Sequence, residues 1–493
     1  MAHQRPRHVQ ASVLDLAGVP VAIVQYTPTP HDVVSFLEAL PAAMRSPGLA
    51  AVLQLLSAPS GATHWPVLCL NDLSDDTIDS IGAIINIVNA VRITGVCFSE
   101  RWPRDPNFNV PFCGFVAKWA AKVTTVDLAT TCLPKHRDEC CRALARCTRL
   151  KRVGITIDEP GFLEAVTSPA HCVSELELAV IRFRYVPAAS TMAAAQRWLA
   201  SGHACSLVLR NLNPPTDAGL VCALVSSPTL ASLRMDQSHA LFISLATYIE
   251  EQTVCGRFIL TGLRPLPALK TLVLRSIRNV GLGQHIFALV AQSLVLEHLC
   301  FEYMDLRGVV ATQPRVSSST TLRTLAFNCV VLSESSLEAT LTWITRSRHL
   351  ESITWHDVEY FSVHAGCAAN ALRRCIDAGA CRVRFANCGI DTNGATVLAA
   401  ALLETHARVA FDLDLSGNLM GLRGVQALLT AVATCTNVSV KLPLWCKDFV
   451  ENNNCLPVVK MRAADVAIYA IRCLLPEPYI CQLHNDARVV VSS

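Results

Sequence analysis

Charge is scarce in this chain. Only 16% of its 493 residues are Asp, Glu, Lys or Arg, against about a quarter in an average soluble protein. The shortage excludes a solvated, disordered coil, because 52% of the residues are hydrophobic and can fill a core. A basic excess is missing too: 42 Lys and Arg stand against 39 Asp and Glu. Without a basic stripe the sequence gives no case for a nucleic-acid partner. The longest charge-free stretch, Ser46 to Asn71, is broken by Pro47, Pro59 and Pro66, so no run suits a membrane span of roughly 18 residues. The 22 cysteines include no Cys-x-x-Cys pair, and the opening MAHQRPRHVQ has no apolar segment behind its basic residues. Scattered thiols of this kind read as small buried hydrophobes in a reducing compartment, so the expected location is cytoplasmic, with the nucleus left open.

Catalytic signatures are equally absent. There is no Gly-x-Ser-x-Gly elbow, His-Glu-x-x-His pair, Walker loop or dinucleotide fingerprint. Three polar clusters come nearest to chemistry. NDLSDDTIDS (Asn71–Ser80) crowds carboxylates but lacks the glycine and closing Glu of a calcium loop, so it reads as a solvated loop capping the next helix. WHDVEYFSVHAGC offers His356, Asp357, Glu359, His364 and Cys367, but it crosses from a strand into a loop and its side chains should diverge. Cys140 and Cys141 in RDECCRALARC read as one buried and one exposed thiol of a helix. The expectation is a non-enzyme with no cofactor and no metal.

What is present is repetition. LDLSGNLMGLRGVQALLTAV, from Leu413 to Val432, places apolar residues two apart, then a turn, then an alanine- and leucine-rich run. With Ala410 included, its start fits the template apolar-x-x-apolar-x-apolar. Backward the template recurs at Ala380, Leu350, Leu322, Leu296 and Leu269, in steps of 30, 30, 28, 26 and 27 residues. It recurs forward at Asn437, and upstream at Leu230, Ala204, Val173, Leu150, Val123, Ile93 and Trp65. The step from Leu230 to Leu269 is longer, and GRFILTGL (Gly256–Leu263) inside it looks like an extra strand. In each unit six residues alternate as a strand does, and a segment with helical spacing follows. Strand, helix and next strand in steps this short require parallel strands joined by crossovers. Like units stacked in series curve, with strands inside and helices outside. The expected fold is therefore α/β: a curved solenoid over 61–450, a helical element over 1–60, and a cap and tail over 451–493. The cap is a helix from Ala463 to Leu475, and NDARVVVSS reads as a frayed tail or short edge strand.

The steps, the LxLxxN of the opening stretch and CGI..NGA..LAAAL resemble leucine-rich repeats of the ribonuclease-inhibitor type, from Trp65 to Leu442. In that family an asparagine or cysteine satisfies the backbone at the strand-to-loop turn, a position held here by Cys388 and Asn418. Elsewhere it is apolar, at Ile181, Leu212, Ile277, Val330 and Val358, so the expectation is that water satisfies the backbone of those turns. The N-terminal VLDLAGVPVAIVQYTPTPHDVVSFLEALPAAM is similar to an F-box, which docks on the Skp-type adaptor of a cullin ubiquitin ligase. Ile23, Tyr26, Asp32 and Phe36 carry that resemblance, with Asp32 expected to cap the second helix. The opening Leu-Pro-x-Glu of the family is absent and its turn is one residue shorter. Two readings of these helices stay open, adaptor docking and a plain cap on the repeat array.

Residues between the apolar template points should face a protein ligand on the concave side. They give Arg382 and Arg384, then Asp412 and Asp414, then Ser439 and Lys441 on successive strands. Upstream, Glu175 and Glu177 fall between Arg152 and Arg210. These opposite charges either read a ligand or neutralise one another. The function expected is a recognition scaffold, feeding a ubiquitin ligase or acting as a stand-alone regulator or inhibitor. A GTPase-activating protein like that for Ran shares the repeat type but usually has an acidic tail, which this sequence does not show.

Overall fold

The computed structural model describes residues 18–71, 73–95, 101–128, 136–156, 161–180, 187–212, 218–255, 265–277, 295–307, 321–345, 347, 349–405, 410–435, 438–442 and 488–491. The chain divides into two compact units, Met1–Ala204 and Cys205–Ser493. The C-terminal helix expected at Ala463–Leu475 and the strand-like Gly256–Leu263 lie outside the described residues. No helix among the described residues is long and apolar enough to cross a membrane.

The first unit begins with three helices, α1 (Val19–Tyr26), α2 (Pro30–Ala39) and α3 (Pro47–Ser57). Proline in the first turn of each costs nothing there, because that amide has no partner within a helix. Thr29, not Asp32, caps α2: its hydroxyl oxygen accepts from the Asp32 amide and its proton goes to the Asp32 carboxylate at 2.5 Å. Asp32 thus stands one turn inside, where an acidic side chain suits the positive helix end. The hydrogen bond from Thr29 holds the Asp32 carboxyl below its ordinary range.

Strands β1 (Val67–Cys69), β2 (Ala90–Ile93), β3 (Val123–Leu128), β4 (Arg152–Thr156) and β5 (Glu175–Ala179) then pair in sequence order, all parallel. Between β1 and β2 runs α4 (Asp75–Ile87), and Ser74 caps it by accepting from the Thr77 amide, as expected for the carboxylate-rich loop. Lys122 closes its other end, donating to the carbonyls of Ile85 at 2.6 Å and Val88 at 2.8 Å. The template at Ile93 is corrected. Ile93 ends β2, and the buried points of that repeat are Val88, Val91 and Ile93.

The second unit carries β6 (Ser206–Arg210), β7 (Ser232–Asp236), β8 (Thr271–Arg275), β9 (His298–Glu302), β10 (Thr324–Asn328), β11 (Ser352–His356), β12 (Arg382–Ala386), β13 (Phe411–Asp414), β14 (Val438–Leu442) and β15 (Arg488–Val491). These also pair in sequence order and in parallel, β15 on β14 included. β7 and β8 are direct neighbours, so no strand separates them. The long step between them is taken up partly by a 16-residue helix, His239–Val254. At β13 the template shifts by one: Ala410 is exposed and Phe411 is the buried side chain.

Alternation sets the core. In β6 to β11 the second and fourth residues are buried and the first, third and fifth mostly half-buried. The fourth positions of β9 to β12 hold Phe301, Phe327, Trp355 and Phe385, all 2% exposed or less. Their rings stack in series at centroid separations of 5.3, 6.1 and 4.8 Å, and Phe361 meets Trp355 and Phe385 edge-on. Identical spacing in every repeat turns single aromatics into a continuous column.

The turns after these strands share one backbone device. Asn211, Gln237, Ser276, Tyr303, Cys329, Asp357 and Asn387, each following the fifth strand residue, have φ between 51° and 55°. Their amides extend the ladder by one bond to the next strand, for example Cys329 to the His356 carbonyl at 2.8 Å and Asp357 to that of Ala386 at 3.0 Å. That bond satisfies the amide of the left-handed residue within the protein backbone. The next residue can then be apolar and buried, as Leu212, Ile277, Val330 and Val358 are.

Candidate functional site

On β7 to β11 of the second unit one sheet face packs its apolar residues inward, while the other keeps a row of half-exposed side chains. Parallel sheets normally bury both faces. A polar, accessible face is therefore the unusual feature of this sheet.

At the C-terminal strands the face carries the expected charges. Arg382 is in register with Asp412, and Arg384 with Asp414, which in turn is in register with Lys441. Asp414 is the centre of this group: Arg384 Nε lies 3.4 Å and Lys441 Nζ 3.7 Å from its Oδ2, while its Oδ1 accepts from the Ser416 amide at 2.9 Å. Asp412 instead accepts from the Ser439 hydroxyl. Arg382 is exposed. The charges are thus split. Asp414 is shared by Arg384 and Lys441, which leaves that trio with one positive charge in excess, and Arg382 presents its cation outward.

The first unit repeats the pattern more weakly. Arg152 Nε lies 3.9 Å from Glu175 Oε2, both more than half exposed, and Glu177 sits two residues on along β5. Arg210 ends β6 in the second unit.

A denser charge cluster lies on β7 to β9, at outward positions that strand alternation marks in the sequence. Arg234 on β7 donates to Glu302 on β9 at 3.0 Å, and Arg275 on β8 reaches both Glu302 (3.7 Å) and Asp236 (3.8 Å). Arg275 also lies over the Tyr303 ring, 5.2 Å from its centre, a contact that favours a cation. Tyr303 is 53% exposed, so an aromatic rim borders the charged row.

The N-terminal quartet differs in exposure. Tyr26 is 85% exposed and Asp32 exposed, whereas Ile23 and Phe36 are half-buried. Their neighbours Val24, Val33 and Leu37 are fully buried. The helices are also tied to the first repeat, through Trp65 Nε1 to the Thr27 carbonyl at 2.8 Å and Asn89 to that of Gln25 at 3.3 Å.

Several of the described thiols are buried deeply enough to be held protonated. Burial pushes Cys147, Cys300 and Cys388 up to about 12, with the Glu302 carboxylate adding to the effect at Cys300; such thiols stay protonated and inert. In the cluster from His356 to Cys367 the structure keeps His356 beside Asp357 (3.5 Å) and sends the rest elsewhere: His364 stacks on the Tyr360 ring and Cys367 meets the Tyr360 hydroxyl. What joins His356 and Asp357 is Cys329 from the preceding turn, whose thiol reaches Asp357 Oδ2 at 3.6 Å. Sequence spacing could not show that contact, because it crosses a repeat boundary.

No protein-family model and no curated protein matches this chain.

Proposed function

We propose that this chain is a leucine-rich-repeat solenoid that acts as a non-enzymatic protein-recognition scaffold, with its ligand on the strand face. The observation that carries the reading is the accessible polar face of an all-parallel sheet, charged at Arg382 and bordered by Tyr303. Fixed backbone and closely spaced ion pairs suit recognition by shape and charge, since little side-chain order is lost on binding. Charge reversal at Arg382 tests it. A protein ligand lost from the folded variant supports the reading, and undiminished capture contradicts it.

A second reading concerns the N-terminal helices. Burial of Val24, Val33 and Leu37 against the first unit suits a cap, whereas the exposed Tyr26 suits an adaptor surface. Tyr26→Asp separates the two, because that side chain contributes little to packing. If wild-type protein captures a Skp-type adaptor and Tyr26→Asp does not, the chain is an F-box-like receptor of a ubiquitin ligase. If neither captures it, the helices serve as a cap and the scaffold is a stand-alone regulator.

A further inference from the structure

We propose that Cys329, His356 and Asp357 form a binding site for a zinc-class divalent transition metal ion. Cys329 follows β10, His356 ends β11 and Asp357 follows it, so two consecutive repeats supply the donors. Their ligand atoms all lie within 4.8 Å of one another. Cys329 Sγ stands 3.6 Å and His356 Nδ1 3.5 Å from Asp357 Oδ2. A tetrahedral zinc ion with bonds of about 2.3 Å to sulfur and about 2.0 Å to nitrogen and oxygen has ligand–ligand edges of roughly 3.3–3.5 Å. Two of the three edges are therefore already close to formed.

The backbone holds the donors in place. Cys329 and Asp357 share the left-handed turn conformation, with φ of 52° and 54°. Their amides are fixed to the carbonyls of His356 and Ala386. A non-glycine side chain resists that conformation, and the repeating ladder imposes it at this rim in each turn, so the Cys329 and Asp357 side chains leave from equivalent points of adjacent repeats. An outer partner is present as well. Asn387, at the same point of the next turn, lies 3.3 Å from His356 Nε2 through its amide. Binding a metal through Nδ1 leaves the proton on Nε2, and the Asn387 amide turned to present its oxygen would accept it. Metal-bound histidines regularly have such a partner.

The donor set selects the ion. One thiolate, one imidazole and one carboxylate suit zinc, cobalt or nickel, whereas calcium and magnesium ask for oxygen alone. Three protein ligands leave a fourth position for water or for a donor from a bound protein. On binding, the Cys329 S–H bond is replaced by a sulfur–metal bond and the proton passes to solvent, so affinity rises with pH.

The competing account is that these side chains only hydrogen-bond to each other. Titration of the chelator-treated full-length protein with Co²⁺ alone decides between them. The expected result is a thiolate-to-cobalt charge-transfer band with tetrahedral d–d bands at one equivalent, removed by Zn²⁺. Cys329→Ser should abolish the charge-transfer band, and His356→Gln and Asp357→Asn should weaken binding by about tenfold or more. Cys381→Ser, which alters a half-buried thiol outside the site, should leave the spectrum as it is. Absence of the band in wild type overturns the proposal, as does a band that survives Cys329→Ser. If Cys329→Ser does not fold, His356→Gln decides: unchanged cobalt affinity in that variant overturns the site.

Discussion

Asn418 Oδ1 lies 3.0 Å from the backbone nitrogen of Cys388, the residue that occupies the equivalent place one repeat earlier. The same oxygen accepts from the Ile390 amide at 3.1 Å, and the Asn418 amide nitrogen donates to the carbonyls of Phe385 and Leu415. Ser238 makes the matching contacts two strands into the second unit: its hydroxyl accepts from the Leu212 amide at 3.0 Å and lies 3.3 Å from the Leu209 carbonyl. Cys388 points its thiol at the Trp355 carbonyl in the same manner. Polar side chains at this position join neighbouring turns to one another.

Asn418→Leu should therefore destabilise the protein. The apolar residues at Val330 and Val358 argue for a small effect, but the fully buried Asn418 satisfies several backbone groups at once. Unpaired, these cost about 1–3 kcal/mol, and the upper part of that range is expected in chemical denaturation. Ser238→Ala should cost less, because one hydroxyl is lost. A loss of ligand capture with stability intact would place Asn418 in a binding site instead.

Gly417 and Gly202 form a matched pair. Both have positive φ, 73° and 79°. A Cβ on Gly417 would collide with the Asn387 amide oxygen, while one on Gly202 would meet nothing within 4 Å. Gly202→Ala should show the conformational cost alone, about 1–2 kcal/mol. Gly417→Ala should cost at least about 1 kcal/mol more, from overpacking. Equal unfolding midpoints would remove the steric role assigned to Asn387.

How much of this was legible beforehand follows from period. Apolar residues at fixed offsets mark the strand core in nearly every repeat, so Leu272, Leu299, Leu325 and Ile353 could be placed from spacing alone. The template failed at Ala410, where the adjacent Phe411 fits as well. It failed also at Ile93, which is the third buried point of a repeat starting five residues earlier at Val88. In both places only packing shows which frame points inward. The left-handed turns were invisible, because Gln237, Tyr303 and Cys329 are residue types that seldom adopt that conformation unless a ladder enforces it. On the charged face, the outward positions were readable from alternation, but which carboxylate pairs with which cation depends on register between repeats. Cys329 joins His356 and Asp357 for the same reason.

Arg384→Ala should barely change stability. Its partner Asp414 keeps Lys441 at 3.7 Å and the Ser416 amide, and exposed pairs contribute about 0–1 kcal/mol. Thermal unfolding of the variant should match wild type within that range at moderate salt. A larger loss would make this group a structural element of the sheet.

Glu139 should give the first unit a pH dependence. Burial raises its carboxyl pKa, but hydrogen bonds from the Val110 amide at 2.8 Å and Asn109 at 2.5 Å, with Arg142 nearby, outweigh this and leave it below the ordinary value. A carboxylate depressed in the folded state stabilises above its unfolded pKa, and that stability is lost as pH falls through the folded pKa. Glu139→Gln should be less stable than wild type at neutral pH, with the gap closing as the pH drops below the carboxylate range. A gap that stays constant across that range would contradict the assignment.

The recognition face is tested most directly by site-specific photo-cross-linking in full-length protein. A cross-linking amino acid at Arg382, exposed on β12, is compared with one at Leu403, 49% exposed on the helix Thr392–Glu404. Recognition by the strand face predicts a discrete protein adduct from position 382 and none from position 403. Adducts formed only at position 403 would contradict it.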